Sequence, residues 1–157
     1  MIKLILMVAL ALGLHAGMFS QGSKSVGIKL GSASVGNEEY AILGLKGNYF
    51  AVNDLSLGLG YEKWFSGDPD IQKVTAETTY YIPAHEEVRP YLGLLYRRII
   101  IGGGLDDVNA YGYRAGIAFV SDDFLISAGI VQEKYDSAQR VFGDTETYAE
   151  LIIGFVF

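Results

Sequence analysis

Leu55-Ser-Leu-Gly-Leu-Gly-Tyr-Glu-Lys-Trp-Phe65 sets Leu57, Leu59 and Tyr61 on one parity and Gly58, Gly60 and Glu62 on the other. A period of two marks a strand with two unlike faces. The stretch follows the turn-forming pair Asn53–Asp54 and stops at Ser66-Gly-Asp-Pro-Asp70, so it reads as one complete strand between two turns. Outward in both directions the same unit recurs. Strands are predicted near 24–34, 40–51, 55–65, 71–82, 88–100, 109–120, 123–135 and 146–157. The breaks are Gly36–Glu39, Asn53–Asp54, Ser66–Asp70, Pro83–Glu87, Gly102–Val108, Ser121–Asp122 and Asp136–Thr145. Eight strands joined by hairpins predict an all-β, antiparallel, up-and-down barrel. An even count returns both termini to one end.

Composition agrees. A chain of 157 residues with 20 Gly, 11 Tyr, 8 Phe and only 3 Pro suits strands better than helices. Its length holds one domain. The absence of cysteine excludes disulfides and thiolate metal sites. A net charge of −6 with no basic stripe excludes a general nucleic-acid binder.

Alternation alone leaves open which face points inward, since a soluble carrier barrel would enclose the apolar set and a membrane barrel would expose it. The apolar faces carry Val26, Ile28, Leu30; Ala41, Leu43, Leu45; Leu57, Leu59, Tyr61; Val74, Ala76, Tyr80. They continue through Leu92, Leu94, Tyr96; Tyr113, Ala115, Ile117; Ile126, Ala128, Ile130; and Leu151, Ile153, Phe155. The opposite faces mix glycine with charge. Glycines weaken a solvent-facing strand, whereas a narrow lumen needs small residues beside long charged ones. The aromatics decide the matter. Tyr49, Tyr80, Phe119, Phe124, Phe155 and Phe157 fall at the end holding both termini, and Tyr61, Phe65, Tyr96, Tyr111 and Tyr113 at the other. Two such girdles with aliphatics between them predict a bilayer-spanning barrel with its apolar face in lipid.

At the N-terminus, Lys3 precedes an apolar run from Leu4 to Leu14. That run is short for a membrane helix and suits a secretory signal. Residues 1–22 are expected to be the signal, with cleavage after Ala16 or after Gly22, and 23–157 the barrel domain. No cysteine follows the run to take a lipid anchor.

The last strand, Tyr148-Ala-Glu-Leu-Ile-Ile-Gly-Phe-Val-Phe157, ends on Phe with Phe155, Ile153 and Leu151 at alternate positions before it. It resembles the terminal strand that bacterial outer-membrane proteins present to their barrel-assembly machinery. Arg89-Pro-Tyr-Leu-Gly-Leu-Leu-Tyr96 is likewise similar to a Pro-Tyr-apolar-Gly strand common in those proteins. The whole mature chain resembles, at the level of pattern, the small eight-stranded barrels of the OmpA transmembrane-domain and OmpX-like superfamily. It differs from OmpA in having no C-terminal peptidoglycan-binding domain, and from OmpX-type adhesins in its short loops. The resemblance implies a Gram-negative outer-membrane location, Phe157 as assembly signal, the assembly machinery as a partner, and contact with outer-membrane lipid and lipopolysaccharide.

The expected lumen carries Lys29, Lys46, Lys73, Arg97 and Arg114 against Glu62, Glu77, Glu133 and Glu150. Desolvated charges are tolerated only when paired, so these nine residues are expected to plug the barrel, with Arg114 reaching Glu133 and Arg97 facing across the lumen. A gated pore or a small-ligand or lipid carrier is the alternative. Paired carboxylates such as Glu62 and Glu77 read as salt-bridged rather than as acid–base catalysts. A lipid-modifying enzyme would need a histidine beside a serine, and the one histidine after the signal, His85, falls in a turn at the wrong end. Catalytic residues, cofactors and metals are therefore all expected to be none. Acidic loop residues read as solvated turns, and Gly102-Gly103-Gly104 lacks the helix and lysine of a phosphate cradle. The sequence names no surface partner.

Overall fold

The computed structural model describes residues 17–35, 37–104, 106–136 and 144–157. The apolar run from Leu4 to Leu14 and most of the loop between the last two strands lie outside the described residues. Eight antiparallel strands follow in chain order: β1 (Lys24–Val35), β2 (Glu38–Val52), β3 (Leu55–Phe65), β4 (Ile71–Tyr81), β5 (Val88–Ile101), β6 (Val108–Ser121), β7 (Phe124–Tyr135) and β8 (Thr145–Val156). Each pairs with its sequence neighbour, and β8 pairs with β1 to close a barrel. The closing ladder runs from Ser25↔Val156 to Ser32↔Ala149. Below it, Lys24 N–H donates to the Phe157 carbonyl at 2.7 Å and Phe157 N–H to Lys24 at 2.8 Å. Closure satisfies every strand edge internally, which a sheet in lipid requires.

The tight turns at the terminal end depend on aspartate. Asp54 and Asp122 stand at φ 64° and 50°, a left-handed conformation that Asp tolerates better than most residues. At the opposite end the β1–β2 hairpin is longer than its sequence suggests. Glu38 and Glu39 pair with Val35 and Ser34, so these acids belong to the strand rather than to the turn.

The apolar faces point outward. Leu59 is 70% exposed and Leu94 65%, and Val26, Ile28, Leu45, Leu57, Leu92, Ile130 and Phe155 are exposed with them. A water-soluble barrel would put these side chains inside. Here the exposed belt requires an apolar surrounding, so the barrel is bilayer-spanning.

The inner faces differ from the expectation in one respect. Glycine and charge fill only the middle of the lumen. Its upper part, away from the termini, is packed by Tyr40, Ile42, Trp64, Ile71, Ile99 and Tyr148, among others. Its lower part is packed by Phe19, Phe50, Tyr81, Tyr91, Val120 and Leu125. The inside is layered as apolar cap, charged middle, apolar cap.

Candidate functional site: the charged middle of the lumen

Inward parity and stagger bring all nine predicted lumen charges together. Lys29 Nζ lies 2.7 Å from Glu62 and 3.1 Å from Glu150. Arg97 reaches Glu62 at 3.1 Å and Glu133 at 2.8 Å. Arg114 reaches Glu77 at 2.9 Å and Glu150 at 2.6 Å. Lys46 pairs with Glu77, and Lys73 with Glu133. The contacts link the nine in an order of alternating sign: Lys73, Glu133, Arg97, Glu62, Lys29, Glu150, Arg114, Glu77, Lys46. Every glutamate sits between two cations.

All nine side chains are buried, Arg97 with only 1% of its surface exposed. Neutral groups meet part of what the ion pairs leave, while Arg114 Nε is buried with no hydrogen-bond partner among the described residues. Arg97 Nε donates to Thr75 Oγ1 at 2.9 Å, and the guanidinium also meets the Tyr148 hydroxyl. Tyr135 donates its hydroxyl proton to Glu133 or to Glu146, at 2.9 and 2.7 Å. The Lys73 ammonium lies 3.9 Å from the centroid of the Trp64 ring, a cation–π contact strengthened by the absence of water. Arg114 stacks at 4.9 Å over Tyr91.

Glycines make room for these long side chains. A Cβ on Gly93 would stand 2.8 Å from Arg114 Cγ, and one on Gly44 2.9 Å from Glu62 Cγ. Gly116 and Gly129 similarly accommodate the Tyr91 hydroxyl.

The expected Arg114–Glu133 pair is not formed. Glu133 stands opposite Gly112, while Arg114 stands opposite Val131 two residues lower. The stagger of the strands brings Arg114 to Glu77 and Glu150, and leaves Glu133 to Arg97 and Lys73. The caps were missed as well. Trp64, Tyr81, Tyr91 and Tyr148 share the parity of the charged residues, which was signal enough to place them inside.

The remaining predicted residues sit as follows. Tyr49, Tyr80, Phe119, Phe124 and Phe155 are outward near the terminal end, and Tyr61, Phe65, Tyr96, Tyr111 and Tyr113 outward toward the other. Phe157 lies beside Lys24 at the closing seam. His85 is exposed in the β4–β5 turn, its Nδ1 accepting from Glu87 N–H at 3.3 Å. Among the described residues no group of acids and histidine is arranged to hold a metal ion.

No family model and no curated protein sequence matches this chain. Solved structures do match. The N-terminal β-barrel domain of OprF from Pseudomonas aeruginosa aligns with a TM-score of 0.65 at 20% identity, over 87% of this chain and 98% of that one. Neisserial surface protein A gives 0.62 at 18% identity, over 85% and 94%. Ail, the attachment invasion locus protein of Yersinia pestis, in complex with the heparin analogue sucrose octasulfate, gives 0.57 at 18%, over 87% and 99%. The chain has the fold of the small eight-stranded outer-membrane barrels. In an outer-membrane-type barrel of this size the lumen holds side chains rather than a water column, and here ion pairs and two apolar layers occupy it.

Proposed function

We propose that the protein is an integral barrel of the bacterial outer membrane that acts as a structural or surface-interaction protein, its lumen plugged by charge. The observation that carries this reading is the unbroken alternating chain of nine buried charges between two apolar caps. A transport path would need unpaired, hydrated groups along the axis. A buried pair instead becomes costly when one partner is withdrawn, by about 3–5 kcal/mol, so the chain resists opening.

With the interior filled, interaction falls to the two surfaces left. The lipid face, bounded by its tyrosine and phenylalanine girdles, contacts outer-membrane lipid and lipopolysaccharide. The loops at the outer end form the second surface, and they carry Asp68, Asp70, Asp106, Asp107, Asp136 and Asp144. Ail was captured with a polyanion. The acidic loops of this chain disfavour such a ligand and favour a cationic or divalent-bridged partner. Phe157, at the seam where β8 closes on β1, serves as the signal to the assembly machinery.

The cysteine-free sequence makes orientation directly measurable. Single Asp106→Cys and Glu86→Cys variants place a thiol at the outer and the periplasmic end, both at exposed positions. A membrane-impermeant maleimide should label the first on intact cells, and the second only after the outer membrane is disrupted. The reverse pattern, or labelling of both on intact cells, contradicts the proposal.

A further inference from the structure

Residues ahead of β1 are built into the barrel's mouth. Phe19 is only 5% exposed. Its ring lies 4.8 Å from that of Tyr81 and 5.6 Å from that of Phe50, edge to face with the latter, and Met18 packs against the same cluster. The Arg89 guanidinium covers the ring at 4.4 Å and is paired with Asp54. Backbone bonds hold the segment as firmly. Asp54 N–H, at the tip of the β2–β3 turn, donates to the Phe19 carbonyl at 2.7 Å. Gly22 N–H donates to Phe50 at 2.9 Å, Phe50 N–H to Ser23 at 2.9 Å, and Gln21 N–H to Asn53 Oδ1 at 2.9 Å. Gly22 makes the bend at φ +93°, where a side chain would be strained.

We infer that residues 17–23 remain on the mature protein as a stopper in its periplasmic mouth, and that export processing therefore cuts between Ala16 and Gly17. The inference rests on the outer-membrane reading above. The sequence alone offers two cuts and makes the one after Gly22 the better, since Ser20 is small at the position where Leu14 stands before Ala16. Burial separates them. A cut after Gly22 removes Phe19 and Met18, uncovers Phe50 and Tyr81, and strips the Asp54 N–H of its acceptor. A cut after Ala16 keeps all of these. The step is hydrolysis of one amide: water adds across the Ala16–Gly17 bond, leaving a carboxylate on Ala16 and an ammonium on Gly17. The stopper then completes the lower cap with a residue that no strand supplies.

The test is N-terminal sequencing of the barrel purified from outer membranes, joined to urea unfolding of a Phe19→Ala variant. The expected result is a chain beginning at Gly17. Removing the Phe19 ring should raise the unfolding equilibrium constant about tenfold or more, as loss of a buried aromatic does. A chain beginning at Gln21 or Ser23 overturns the stopper while leaving the outer-membrane reading intact. A chain that keeps Met1, with neither cysteine variant labelled from outside, overturns both. A Gly17 start with Phe19→Ala as stable as the parent overturns the stopper as a structural element.

Discussion

Glu133 holds Arg97 on one side and Lys73 on the other, and both contacts are wholly buried. Removing either Arg97 or Glu133 strands a charge where no water can reach it, at about 3–5 kcal/mol. Removing both should cost clearly less than the sum, because each deletion relieves the charge the other abandons. Arg114 and Glu133 are separated by four intervening members of the chain, so their double-mutant cycle should be much closer to additive. Urea unfolding in detergent of the two cycles, run side by side, checks the pairing. Equal coupling energies in both would mean that the order of contacts is wrong. At this scale the sequence was half legible. Parity identified all nine inward charges, because parity is a local property. Pairing was not legible, because partners are set by stagger between strands. A displacement of two residues moved Arg114 from Glu133 to Glu77 and Glu150.

Each strand presents its apolar face to lipid and its mixed face to the lumen, and the midpoints of β3 and β5 are the most demanding places to break that rule. Leu59→Arg or Leu94→Arg should lose about 2–4 kcal/mol, and Phe65→Arg, at the rim, much less. Unfolding in lipid vesicles measures this, and an equal loss at all three positions would contradict a lipid-facing belt. Strand positions were readable to within two residues, since turn residues such as Asn53–Asp54 and Asp122 punctuate a clear alternation. The caps were harder to see. In Arg97-Arg98-Ile99-Ile100-Ile101 both faces end apolar, so alternation falls silent where the upper cap begins. Phe50 keeps the inward parity of Lys46, and the register shifts only after it. Phe19 belongs to no strand and carries no periodic signal at all.

On the proposed reading the molecule as a whole is a plugged cylinder: lipid-compatible outside, ion-paired at its middle, and apolar above and below that layer. The order of these layers along the axis gives the fold its mechanical meaning. The ion-pair chain ties strands that are not neighbours, such as β5 to β7 through Arg97–Glu133 and β4 to β6 through Glu77–Arg114. On that reading the caps keep water from loosening those ties. Planar-bilayer conductance tests this most directly. The purified protein, inserted in a bilayer in simple salt, should show no steady current at moderate voltage. A stable, ohmic open level from the unmodified protein would mean that a continuous water path runs past the charges, and would contradict the plugged lumen.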